Sequence, residues 1–397
     1  MIIKIAPIRI GYTLSLTGPV AENAWSARVA HQLWQENINA KGGLLGRPVE
    51  LTCYDDKADP ALVSKLYEKL IKEDMVDLVI GGYGTNTLAA SLPSVVKHGK
   101  FLVGLMGLGV NNNCQYPGYF AMIPTGPNPN ASLTEGFFEI AAKQKPGLKT
   151  IALLTADAEF SKNPVIGAKE NALKYGQSII YEETYPLSTE DFEPYIKALQ
   201  KTNAEVLFLC SYLKDSIALI KAINASSYRP KIAGGAMIGP QTTTVKVTLG
   251  PLLNGFVNYD YWVPDDQLMF PGVVKMLEEY RARAGDGFGT ADVLGHYVAP
   301  LAYSQLQVIE QAIMANETLD DNILIDYCRQ NEFETVMGKV RFGKYGEWNV
   351  PRVLQVQYQN IKDYHAETFI KGSTQVILSP DKYVSGTFKE FVNYSKV

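Results

Sequence analysis

Residues 76–96, VDLVIGGYGTNTLAASLPSVV, set the reading of the whole chain. VDLVI is a near-continuous apolar run, as expected of a strand covered on both faces of a parallel sheet. It ends in Gly81, Gly82, Tyr83 and Gly84, followed by the small polar residues Thr85, Asn86 and Thr87. Apolar residues then recur every three or four positions from Leu88, which is helical spacing. A strand, a glycine-rich turn and a helix in that order make half of a βαβ unit.

The same alternation runs outward from this stretch. Strand patterns rich in Val, Ile, Leu and Tyr include PIRIGYTLSL, PVELTCYDD, KFLVGLM, KTIALLTAD, SIIYEETY, EVLFLCSY, PKIAGGAM and GFVNYDYWV. Amphipathic stretches such as ARVAHQLWQENINAK, PALVSKLYEKLIKE, NPVIGAKENALKYG, FEPYIKALQK and KDSIALIKAIN lie between them. Such alternation predicts an α/β protein with parallel sheets. Three proline- and turn-rich blocks break the rhythm: YFAMIPTGPNPNAS at 119–132, YWVPDDQLMFPG at 261–272 and FGKYGEWNVPR at 342–352. They predict two discontinuous, Rossmann-like lobes, 1–122 with 265–342 and 123–264 with 343–397. The crossings are placed near 122–126, 260–266 and 340–352.

Composition fits this size and class. The chain has 397 residues, 46% hydrophobic and 20% charged, with a net charge of −4 and no basic block. Two cores suit that length, and nothing in it offers an electrostatic footprint for nucleic acid. The N-terminus enters a strand pattern almost at once, without the n-region, apolar core and cleavage site of a signal peptide. Cys53, Cys114, Cys210 and Cys328 form no CxxC pair, which argues against zinc and thioredoxin chemistry. A Cys53–Cys114 disulfide stays open.

Motifs for catalysis are absent. There is no GxxxxGK(S/T) phosphate loop, no HExxH and no GxSxG elbow. GLGVNN at 107–112 begins like a dinucleotide-binding turn but has Asn112 where the third glycine belongs. Asp55 and Asp56 read as a capped strand end with solvated charge, their side chains on opposite sides of the strand. The four histidines are scattered. The expectation is a protein that is not an enzyme and needs no cofactor or metal.

In open parallel sheets, ligands sit where strands end and helices begin. That rule selects Thr17–Asn23, Tyr83–Thr87, Met106–Gly109, Asp157–Ser161, Ser211–Tyr212, Ala236–Ile238 and Tyr261–Trp262. Trp262 stands at a strand end beside Tyr261, where an aromatic side chain would face a cleft.

Three longer stretches carry a family resemblance: IRIGYTLSLTGPVA (8–21), ENINAKGGLLGRPVELTCYDDKADP (36–60) and VDLVIGGYGTNTLAA (76–90). In order and spacing they resemble the type I periplasmic solute-binding proteins of branched-chain amino acid ABC transporters. IALLTAD, VLFLCSY, GGAMIG and DVLGHYVAPLAYSQLQVI extend the likeness over essentially the whole chain. The resemblance implies two lobes joined by three hinge segments that close on a small solute. It also implies a periplasmic location, with the signal peptide missing from this sequence, a membrane permease as partner and a monomer.

Carried over residue by residue, the resemblance implies a ligand set of Asn23, Tyr83, Gly84, Thr85, Asn86, Thr87, Met106, Gly107, Leu108, Phe160, Tyr212, Ala236, Met237 and Trp262. The departures all point the same way. The turn at 83–87, which holds the ligand carboxylate in amino-acid binders, is kept. Leu105–Gly109 has lost a hydroxyl, Phe160 stands where tyrosine is usual, and Ala236 and Met237 stand where an acid would pair with the ligand ammonium. The neighbouring turns offer no obvious replacement acid apart from Asp157 or Glu22. A small ligand with a carboxylate head and an aromatic body fits these changes best. A branched-chain amino acid, or an amide or urea-type solute read by a cytoplasmic sensor of the same fold, are the alternatives.

Overall fold

A computed structural model describes residues 6–285 and 290–391. The chain packs as two compact units, 1–127 with 270–351 and 128–269 with 352–397.

In unit 1 the strands are β1 (Ile8–Leu14), β2 (Val49–Asp55), β3 (Leu78–Val79), β4 (Leu102–Gly104) and β5 (Tyr119–Ala121), with helices α1 (Ala21–Ala40), α2 (Pro60–Lys72) and α3 (Thr85–Lys97) between them. β1 lies between β2 and β3, and β4 pairs with β5, all in parallel. Gly81 N–H donates to the Val103 carbonyl at 2.8 Å, and a parallel bridge joins Tyr83 to Met106, so β3 and β4 are stitched together at their carboxyl ends. β5 lies inside a block read from sequence as an irregular crossing. Its three residues are buried, and three residues are too short a run for periodicity to reveal.

Unit 2 carries α4 (Pro129–Lys143), β6 (Thr150–Ala156), α5 (Glu159–Lys174), β7 (Ser178–Tyr185), α6 (Glu193–Thr202), β8 (Val206–Ser211), α7 (Leu213–Ala225), β9 (Ile232–Met237), α8 (Thr243–Leu249) and β10 (Val257–Asp260). The chain returns to unit 1 for α9 (Val273–Gly285), α10 (Ala299–Asn316), α11 (Asp321–Gln330) and the hairpin β11 (Glu332–Thr335) with β12 (Gly338–Arg341). It ends in unit 2 with β13 (Leu354–Tyr358) and β14 (Gln375–Ser379). The seven strands of the unit 2 sheet run in the order β14-β13-β10-β9-β8-β6-β7. β13 is antiparallel to both neighbours and the other pairings are parallel. Every residue of β8 is buried, whereas the edge strand β7 is mostly exposed, as sheets covered on both faces require.

Two expectations need correcting. Asp56 is not solvated. It is 1% exposed and accepts hydrogen bonds from Thr13 Oγ1 (2.7 Å), Ser15 Oγ (2.6 Å) and Ala58 N–H (3.0 Å). A carboxylate with three donors tolerates burial, and here it clamps the end of β1 to the end of β2. The disulfide left open above does not form, because all four cysteines are free. Burial pushes the Cys53 thiol up to about 12, and such a thiol behaves as a small hydrophobe.

Candidate functional site

The glycines of the opening stretch have two different jobs. A Cβ on Gly81 would lie 2.4 Å from Leu88 Cδ1 and 2.8 Å from Gly104 Cα, and one on Gly82 would lie 2.2 Å from the Thr13 carbonyl oxygen. Both are close-approach glycines that let the turn sit against its neighbours. Gly84 is conformational: it is the N-cap of α3 with φ +101° and ψ 143°, and a Cβ there would meet almost nothing. No side chain caps the helix.

The N–H groups of Thr85, Asn86 and Thr87 open α3 and therefore have no acceptor within the helix. Their side chains are differently engaged. Thr85 Oγ1 accepts from Leu108 N–H at 3.1 Å, and Thr87 Oγ1 donates to the Tyr83 carbonyl at 2.8 Å. Both threonines are buried and Asn86 is exposed. The threonine hydroxyls thus shape the turn, and the backbone donors are what the helix start presents.

Around this turn unit 1 gathers the other expected residues. Asn23, in the first turn of α1, donates from Nδ2 to the Tyr83 hydroxyl at 2.8 Å. Tyr83 is 5% exposed, and burial holds its hydroxyl well above the usual phenol range, against hydrogen bonds from Tyr297 and Asn23. Met106 is also buried and bridges to Tyr83, while Leu108 is wholly buried. Gly107 leaves room for Leu88, whose Cδ2 would lie 2.6 Å from a Cβ.

In unit 2, Phe160 stands in the first turn of α5 and Tyr212 is the N-cap of α7. The helix α5 begins earlier than its sequence pattern suggests and runs through Pro164, so Phe160 is helical rather than part of a loop. The two rings meet edge-on with centroids 6.3 Å apart. Tyr212 is fixed by Asp215, whose carboxylate accepts from Tyr212 N–H at 2.9 Å and from the Tyr185 hydroxyl at 2.6 Å. Tyr185 in turn receives Asp157 N–H on its carbonyl at 2.7 Å. Burial raises the Asp215 carboxyl, while these donors pull it down.

Ala236 and Met237 end β9, fully buried. Trp262 is 2% exposed and its indole N–H donates to the Leu268 carbonyl at 2.8 Å, so its polar edge is satisfied within unit 2. Asp157 is exposed. One acid escaped the sequence reading. Asp260 ends β10, which runs parallel to β9 with Asn258 opposite Gly235. It is 2% exposed and accepts from the N–H groups of Tyr261 (2.8 Å) and Trp262 (3.4 Å). Burial pushes its carboxyl up to about 6, against the pull of Lys246 and of these two donors. The signal was present: an aspartate flanked by tyrosines closes the strand one residue before the turn that was singled out.

No group of three or more His, Cys, Asp or Glu side chains suited to a metal occurs among the described residues, and the turns present hydrogen-bond donors and aromatic edges. Residues 7–358 match the family described as periplasmic binding protein. The chain belongs to that family. It is similar to the Leu/Ile/Val-binding protein homolog 8 of Brucella abortus, 24% identical over 376 residues and covering 90% of each chain. Its fold matches the branched-chain amino acid transporter substrate-binding protein LivJ of Streptococcus pneumoniae in complex with isoleucine (TM-score 0.75, 17% identity, 94% of this chain and 100% of that one). It equally matches a solute-binding protein of an R. palustris ABC transporter in complex with benzoate (TM-score 0.75, 16% identity, 96% of this chain and 99% of that one). Membership in the family makes the chain a binding protein of an extracytoplasmic class, and the relatives named above are solute-binding proteins, which supports a role other than catalysis.

Proposed function

We propose that this protein binds a small aromatic carboxylate, of the benzoate or hydroxycinnamate type, and delivers it to an ABC importer in the membrane. The observation that carries the reading is the start of α3. It is a helix N-terminus with no side-chain cap, and its first N–H groups and partial positive charge suit a carboxylate. Phe160 and Tyr212 supply aromatic edges that stack on a ring. Ala236 and Met237 offer no counter-charge to an ammonium group, which is costly to bury unpaired. Binding needs no chemistry: a ligand engaged by the strand-end turns of both units selects the conformation in which both sets of contacts are made. We propose further that the protein acts in the periplasm as a monomer, which light scattering checks directly.

A second reading is a branched-chain amino acid, and Asp260 favours it. Its carboxylate closes the strand beside the Ala236–Met237 strand end, where an ammonium partner would be sought. Calorimetric titration of protein freed of co-purified ligand by unfolding and refolding separates the two. Saturable binding of benzoate without binding of leucine or isoleucine supports the aromatic acid. Tight leucine binding with no benzoate heat overturns it.

A further inference from the structure

We infer that Gln305, a buried amide on α10, sets the position of the Gly81–Thr87 turn and so acts as a positioning residue for ligand binding in unit 1. The functional part of this inference rests on the turn being a ligand seat, as proposed above.

Gln305 is 0% exposed. Its Nε2 donates to two main-chain carbonyls, Gly81 at 2.8 Å and Val103 at 2.6 Å. These residues stand where β3 and β4 give way to the turns carrying Tyr83–Thr87 and Met106–Leu108. Val103 also receives Gly81 N–H, so one amide and one backbone donor tie both strand ends together. Because carbonyls only accept, the amide orientation is fixed and Oε1 must face the other way. There it meets His31 Nε2 at 3.0 Å, which therefore carries the proton. His31 is also wholly buried, edge-on to Tyr12 at 4.9 Å, and burial lowers its basicity to about 4. The pair thus stays neutral and needs no counter-ion.

Side chains of the turn leave its first carbonyl to be held from outside. Gly81, Gly82 and Gly84 have none, Thr85 and Thr87 bond only locally or to Leu108, and Tyr83 is tied to Asn23 and Met106 rather than to the Gly81 carbonyl. An apolar residue at 305 would leave the Gly81 carbonyl without the amide, and a buried unpaired carbonyl is relieved by moving the chain. The neighbours of Gln305 on α10, Leu301, Ala302, Leu306 and Ile309, are wholly buried hydrophobes, so a similarly shaped apolar side chain would suit packing alone. What the amide adds is the direction of two carbonyls.

Amide hydrogen exchange on the full-length protein tests this with Gln305→Met, which keeps the volume, and with Gln305→Asn, which keeps the amide but falls short. Exchange of the hydrogen-bonded amides of Gly81, Leu88 and Leu108 is expected to speed up by about tenfold in both variants, while β2 and the unit 2 strands change by less than about twofold. An even increase across unit 1, or no increase at the turn, overturns the inference; should one variant not fold, the other decides. Benzoate and leucine titrations of the same variants form a separate arm, in which affinity for whichever ligand binds the wild type should fall by about tenfold. If the wild type binds neither, the ligand reading fails while the exchange pattern still decides the role of Gln305. If exchange changes locally but affinity does not, the functional part of the inference is wrong.

Discussion

The glycines at 81, 82 and 84 show how one residue type serves two physical needs. Gly82→Ala should cost at least about 3 kcal/mol in urea unfolding, because its Cβ would collide with the Thr13 carbonyl backbone. Gly84→Ala has room but a forbidden φ, and should cost about 2 kcal/mol, with an added loss of carboxylate affinity as the start of α3 shifts. Two buried titratable groups set opposite pH trends. Asp260 is raised from 3.8 to about 6, so the stability that its protonated form adds is full below pH 3.8 and lost as pH rises through about 6. His31 is lowered from 6.5 to about 4, so its contribution is full above pH 6.5 and lost as pH falls toward 4. Asp260→Asn should therefore remove a decline in stability between about pH 4 and 6. Equal pH profiles for variant and wild type would show that the carboxyl is already ionised at pH 4.

At the scale of elements, the start of α7 is held by a carboxylate rather than by the usual short polar cap. Asp215 links Tyr212 N–H to the Tyr185 hydroxyl. Asp215→Ala should destabilise the protein by about 2 kcal/mol, because the buried phenol keeps only the Cys210 carbonyl at 3.4 Å and the Tyr212 N–H loses its acceptor. Asp215→Asn, which still accepts from one donor, should recover part of this. Affinity should follow the same order, since Tyr212 and the turn after β6 both depend on this link. Leu88, one of the buried side chains of α3, lies in contact range of Gly81, Gly104 and Gly107. Leu88→Ala should cost about 3 kcal/mol, because a cavity flanked by glycine backbone has no side chain to collapse into it.

At the scale of the whole molecule, the chain passes between its two units three times, at 127/128, 269/270 and 351/352. Each unit therefore completes its core with a late segment: α9 to β12 in unit 1, β13 and β14 in unit 2. Truncation after residue 351 should leave unit 2 without two strands of its sheet and unable to fold. A ligand engaged by both units should couple their melting. At a ligand concentration of one hundred times Kd the stabilisation should reach about 2.7 kcal/mol, read as one shifted transition in calorimetry. Two transitions of which only one moves would place the ligand on a single unit.

Strand and helix alternation, the parallel α/β class and the location of the strand-end turns were legible in the sequence, because apolar periodicity and glycine punctuation are local signals. The candidate turn at 83–87 was legible for the same reason. What the threonines there do was not: Thr85 bonds Leu108, which lies 23 residues away, and no local pattern records that. Gln305 reaches Gly81 across 224 residues, and His31 reaches Gln305 across 274. Asp56, Asp215 and Asp260 read as ordinary polar residues until their neighbours are known. Burial and hydrogen-bond partners are properties of the folded neighbourhood, so the sequence by itself determined the elements and the strand-end turns that make up the candidate site. Only the tertiary structure decided which side chains present themselves there and which hold the backbone in position.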